Sequence, residues 1–136
     1  MKKGGTSMDE IKYVISLPPV TKKNHQQIVV PNGKKKPIVI PSSQYRQYEK
    51  DAVWFMKPRP QKPIEYAVNV RCEFYLPTKR RTDLNNLLEA ATDLLVHAGI
   101  LADDHYGIVE SHDGSRCYVD RQNPRTEITI TKIKET

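Results

Sequence analysis

Between Tyr66 and Gly99 the apolar residues change their spacing, and that change restricts the fold more than any other feature. Val68, Val70, Cys72, Phe74 and Leu76 alternate with polar neighbours, the two-residue period of a half-buried strand over Tyr66–Leu76. After the basic loop Pro77-Thr78-Lys79-Arg80-Arg81-Thr82, the period becomes helical. Leu84, Leu87, Leu88, Ala91, Leu95 and Ala98 recur at three and four, and Gly99 supplies a stop. A strand feeding directly into an amphipathic helix needs a sheet on which both can bury their apolar sides.

The flanks fit that frame. Ile11–Leu17 reads as a β-branched and aromatic strand ended by Pro18-Pro19. Ile28–Val30 and Ile38–Ile40 enclose Pro31-Asn32-Gly33 and Lys34-Lys35-Lys36, which predicts a hairpin with a basic tip. Ser42 or Ser43 can cap a helix to about Met56, with Tyr45, Tyr48, Ala52 and Phe55 on one side. Trp54 in this helix suits core or dimer packing by its spacing, with base stacking as the functional alternative. Ile108–Glu110 starts a further strand, and Thr126–Ile133 alternates as a last one, close enough to its predecessor to pair antiparallel. The expected fold is α+β (mixed α/β), in the order β, hairpin, α, β, α, β, β, with two helices packed on a mixed sheet. Residues 1–10 read as a loose tail, and 11–136 as one domain.

Composition narrows the function. No apolar run approaches the roughly 20 residues of a membrane span, and the mean hydropathy is −0.64. The start has no apolar stretch of a secretory signal. Cys72 and Cys117 stand alone, without zinc-ligand spacing, so a reducing cytoplasm is expected. Net charge is +6, but it is unevenly placed. Residues 1–62 carry 13 Lys/Arg against 4 Asp/Glu, whereas residues 63–136 carry 9 against 12. Such asymmetry points to a polyanion gripped by the first part and a carboxylate site in the second.

Three features of the second part converge. Asp83 stands at a helix start, where Asp is also a preferred N-cap. Asp103-Asp104 follows that helix, as acidic turn residues often do, although adjacent carboxylates favour a counter-charge. The basic loop adjoins Asp83. Carboxylates beside phosphate-binding cations suit Mg²⁺, which takes one or two carboxylates plus substrate phosphate and assists phosphodiester hydrolysis.

These residues resemble the RusA family of Holliday-junction resolvases. The likeness lies in Arg80-Arg81-Thr82-Asp83-Leu84-Asn85-Asn86-Leu87, Asp93-Leu94-Leu95 and Ala98-Gly99-Ile100-Leu101-Ala102-Asp103-Asp104. Leu17-Pro18-Pro19 with Asn24 downstream is also similar, and the resemblance spans about Ile11 to Ile133. It implies a homodimeric, Mg²⁺-dependent endonuclease (Mn²⁺ as substitute) that places paired nicks in four-way DNA junctions during recombination and repair, often in phage or prophage. It also implies that Asp83 and Asp104 hold metal, with Asp103 as a supporting or turn residue.

Two positions depart from the family pattern. Asn85 stands where a second Asp is usual, and Glu89 where a catalytic Lys is usual. An amide oxygen brings no charge, so Asn85 predicts weaker metal binding. Asn85 and Glu89 are four apart on one helix face, so Glu89 can reach back as the missing carboxylate, or it can be an ordinary exposed helix residue. Glu110 is a further candidate. A cation in place of the family Lys can come from Lys79, Arg80 and Arg81, or from Arg116 and Arg125. His105, beside Asp104, is a candidate general base or a solvent-facing loop residue. Lys22, Lys23, Lys34, Lys35, Lys36, Lys79, Arg80, Arg81 and Arg116 are the expected DNA contacts. The alternative reading is a DNA- or junction-binding protein of the same fold whose cleavage is weakened or lost through Asn85 and Glu89. A basic RNA-binding domain is a further alternative, for which no aromatic RNP-type strand is present.

Overall fold

A computed structural model describes residues 10–22, 26–30 and 38–134. Lys23, Asn24, His25, the Pro31-Asn32-Gly33 turn and Lys34, Lys35 and Lys36 lie outside the described residues.

The strands are β1 (Glu10–Ile15), β2 (Gln26–Val29), β3 (Ile38–Pro41), β4 (Val68–Leu76), β5 (Val109–Ser111), β6 (Arg116–Val119) and β7 (Arg125–Lys132). The helices are α1 (Ser43–Ala52) and α2 (Leu84–His97). The fold is α+β. Its main sheet runs β1-β7-β4-β5, with β6 also on β4, while β2 and β3 form a separate antiparallel pair. The chain leaves β4, runs through α2, and returns to lie parallel to β4 as β5 and then β6.

The alternation in β4 becomes a buried face. Val68, Val70, Cys72 and Phe74 join Ile128 and Ile130 of β7 beneath Tyr45, Tyr48, Leu87, Ala91, Leu94 and Leu95 of the helices. The outward residues of β4 and β7 are for the most part half-buried. Burying Cys72 pushes its thiol pKa up to about 12, because a thiolate there would lose its hydration.

The last strands depart from expectation. The strand from Ile108–Glu110, here β5, does not pair with β7; β5 lies parallel on one side of β4 and β7 antiparallel on the other, and an additional strand, β6, joins the β5 side of β4. The buried row Thr126, Ile128, Ile130 of β7 continues the buried face of β4 through the register Phe74↔Thr126, Cys72↔Ile128, Val70↔Ile130. Four exposed residues make β6, which offers no such row. Side chains complete the edge of β4 between β5 and β6. The Cys72 N–H donates to Ser115 Oγ at 2.9 Å, and Asn69 Oδ1 accepts from Ser111 Oγ and the Asp113 N–H.

α1 is shorter than its apolar spacing suggests. Ser42 caps it by accepting the Tyr45 N–H, but the helix ends at Ala52 and tightens into a 3₁₀ turn over Val53–Phe55. That turn rotates Phe55 outward and buries Met56 in its place. Trp54 is 69% exposed, so it is not part of this chain's core, and Lys57 Nζ lies 4.6 Å from its ring centroid.

Candidate active site

α2 is held at both ends by local chemistry. Asp83 is its N-cap, accepting the Asn85 N–H on Oδ1 at 2.9 Å. At the other end Gly99 takes φ +78°, which L side chains rarely adopt. The Gly99 N–H donates to Val96 O and the Ile100 N–H to Leu95 O, a Schellman closure with buried Ile100 over Leu95.

This geometry sets the carboxylates apart. Asp83 lies at the start of α2, past the C-terminal end of β4. Asp103 and Asp104 lie in the exposed loop beyond the far end, between the Ile64–Leu101 bridge and the Val68–Val109 pairing. The 14 residues of α2 separate these ends by roughly 21 Å. Asp83 and Asp104 of one chain therefore do not share a metal ion. Among the described residues, no group of three or more His, Cys, Asp or Glu side chains is arranged to hold one.

Asn85 and Glu89 are exposed on α2, near its Asp83 end. They continue in the same row to Asp93, whose Oδ2 lies 2.9 Å from Lys22 Nζ. The Lys22 pKa is raised, first by that hydrogen bond and further by the fields of Asp93, Glu49 and Glu89, against an opposing desolvation. Lys22 is thus engaged with α2, and its ammonium also sits 5.8 Å from the Tyr45 ring centroid.

In the far loop, the Asp104 N–H donates to Asp103 Oδ1 at 2.7 Å, which heads the causes lowering the Asp103 pKa. His105 Nδ1 accepts the Gly107 N–H at 3.0 Å, so this nitrogen braces its own turn. Glu110 is exposed on β5.

The candidate cations fall into different settings. Lys79, Arg80 and Arg81 are exposed in the loop that leads into Asp83. Arg116 is exposed on β6, near the Tyr118 ring that stacks on Tyr75. Arg125 is committed to structure: it bonds Asp120 at 3.0 Å and Glu127 at 2.7 Å and lies 3.7 Å from the Tyr75 ring centroid.

A cavity of about 570 Å³ opens beside the start of α2, lined by Pro18–Thr21, Gln44, Leu76–Thr78 and Arg80–Thr82. Sequence patterning does not reveal it, because its walls come from three distant segments. The one local signal is the paired prolines that stop β1 and turn the chain toward the loop after β4.

The pattern of a carboxylate at the helix start, a basic loop before it and an acidic pair after it matches a known family. Residues 16–131 match the family model described as "Endodeoxyribonuclease RusA". The chain belongs to the RusA family. A curated RusA-family relative, "Crossover junction endodeoxyribonuclease RusA" of Aquifex aeolicus (strain VF5), is 29% identical over 108 residues, covering 79% of this chain and 81% of the relative. In this RusA-family chain, no helix among the described residues is long and apolar enough to cross a membrane.

Proposed function

We propose that this chain is a Mg²⁺-dependent endonuclease, accepting Mn²⁺ in place of Mg²⁺, that resolves four-way DNA junctions as a homodimer by paired nicks. The observation that carries the dimer is the separation of Asp83 and Asp104 by the length of α2. An antiparallel arrangement of two copies brings the Asp83 end of one helix to the Asp104 loop of the other. Asp83, Asn85, Glu89 and the partner's Asp104 then offer a hard oxygen donor set suited to Mg²⁺. A cation held there supplies charge neutralisation at the phosphorus and a more acidic water. The chain's own contribution is positional: the N-cap bond fixes Asp83, and Lys79, Arg80 and Arg81 hold the strand phosphates beside it. Two such sites in a dimer give two cuts.

The test uses a synthetic four-way junction and the matching linear duplex, with Mg²⁺, Mn²⁺ or neither. Symmetric nicks in the junction alone, lost in Asp83→Asn and in Asp104→Asn, are expected. Mixing those two inactive variants then restores one site per mixed dimer, and single nicks return. Tight junction binding without cleavage in either metal would favour the alternative, a binding protein disabled at Asn85 and Glu89. Mixed variants that stay inactive while each pure variant still dimerises would sink the shared site.

A further inference from the structure

The cavity beside the start of α2 has a lining that a general phosphate contact does not require. Arg80 and Arg81 are exposed in its wall and, among the described residues, no carboxylate lines it, so its chemistry favours an anionic ligand. Pro18, Pro19 and Pro77 give it flat hydrocarbon surfaces, and the exposed Gln44 brings an amide able to bond a heterocycle's edge, while Thr78 Oγ1 and Thr82 Oγ1 brace the Arg80 backbone. At about 570 Å³ it falls within the roughly 300–1,000 Å³ of sites that enclose small molecules. Its wall runs directly into Asp83, the residue placed closest to the cleaved strand.

From this combination we infer that the cavity receives one unstacked nucleotide of the DNA strand next to the cut. Its base lies against the prolines, and its phosphate lies on Arg80 and Arg81. A duplex base must leave its stack to enter such a pocket, and that is least costly where pairing or stacking is already broken. The crossover of a four-way junction is such a place, so the cavity becomes a device for selecting junctions over linear duplex. The inference rests on the nuclease reading above and adds a nucleotide subsite to it.

The test places 2-aminopurine at successive positions around the crossover of a four-way junction, with the protein bound in Ca²⁺. Extrusion into the cavity brightens one position several-fold, and the matching linear duplex stays dark. Gln44→Trp and Thr78→Trp fill the cavity from different walls. Each is expected to abolish the brightening and slow junction cleavage about tenfold, while junction affinity changes less than threefold. An abasic nucleotide at the bright position should restore cleavage by both variants toward the wild-type rate. If no position brightens and both variants cut at the wild-type rate, the subsite is refuted and the nuclease reading stands. If the wild-type chain neither binds nor cuts junctions, the nuclease reading fails and takes the subsite with it.

Discussion

The ammonium of Lys22 lies 2.9 Å from the carboxylate of Asp93, tying the segment after β1 to the outer face of α2. Both side chains are partly exposed, at 38% and 27%, so solvent screens the pair. Asp93→Asn should therefore cost no more than about 1 kcal/mol of stability. The sign of its pH dependence follows from the raised Lys22 pKa. The contribution is complete below the unfolded lysine pKa and is lost as pH rises through the higher folded value. Urea unfolding of wild type and Asp93→Asn should differ equally at pH 7 and 9 and converge only in strong alkali.

The N-cap role of Asp83 and the metal role proposed for it can be separated by substitution. Asn is as good an N-cap as Asp, whereas Ala is poor. Asp83→Asn should keep thermal stability nearly unchanged, and Asp83→Ala should lose about 1 kcal/mol. Both should abolish junction cleavage. Equal destabilisation by the two variants would show that the bond to the Asn85 N–H does not hold the helix start.

In the proposed donor set, Asn85 and Glu89 stand where the charge is weakest. Asn85→Asp restores a charge and should lower the Mg²⁺ concentration needed for half-maximal cleavage. Glu89→Gln removes one and should raise it, by about tenfold on the scale of altered metal environments. Metal titrations of cleavage rate check both. An unchanged requirement in Glu89→Gln would mark Glu89 as an ordinary helix residue.

The cysteines should react very differently. Cys72 is buried in β4 with a pKa near 12, while Cys117 is exposed on β6. A thiol reagent at pH 8 should label one cysteine in the native chain and two after denaturation. Cys117 should react slowly, since partial desolvation raises its pKa as well.

What the sequence conveys well is whatever repeats locally. The β4 alternation, the α2 stripe, the Asp83 cap and the Gly99 stop each depend on residues within a few positions of one another. The end of α1 is not marked in this way, because the spacing of Tyr45, Tyr48, Ala52 and Phe55 continues past the point where the backbone tightens. β6 carries no apolar row, and its place on β4 depends on residues more than 40 positions away. The candidate site divides in the same way. Its residues stand out by type and order, yet the distance between Asp83 and Asp104 follows from α2 crossing the sheet, and the cavity from three segments meeting.

If the proposed dimer is the active form, the closed ends of α2 have a consequence for the products of cleavage. A helix fixed by a cap at one end and a glycine closure at the other cannot slide or lengthen without breaking those bonds. In the two-fold pair proposed above it would act as a ruler, its own length of roughly 21 Å lying between the ends that carry Asp83 and lead to Asp104. On that proposal, the distance between the two nicks would be set by helix length. Adding one turn to α2 would reset where the second strand is cut while leaving each site's chemistry intact.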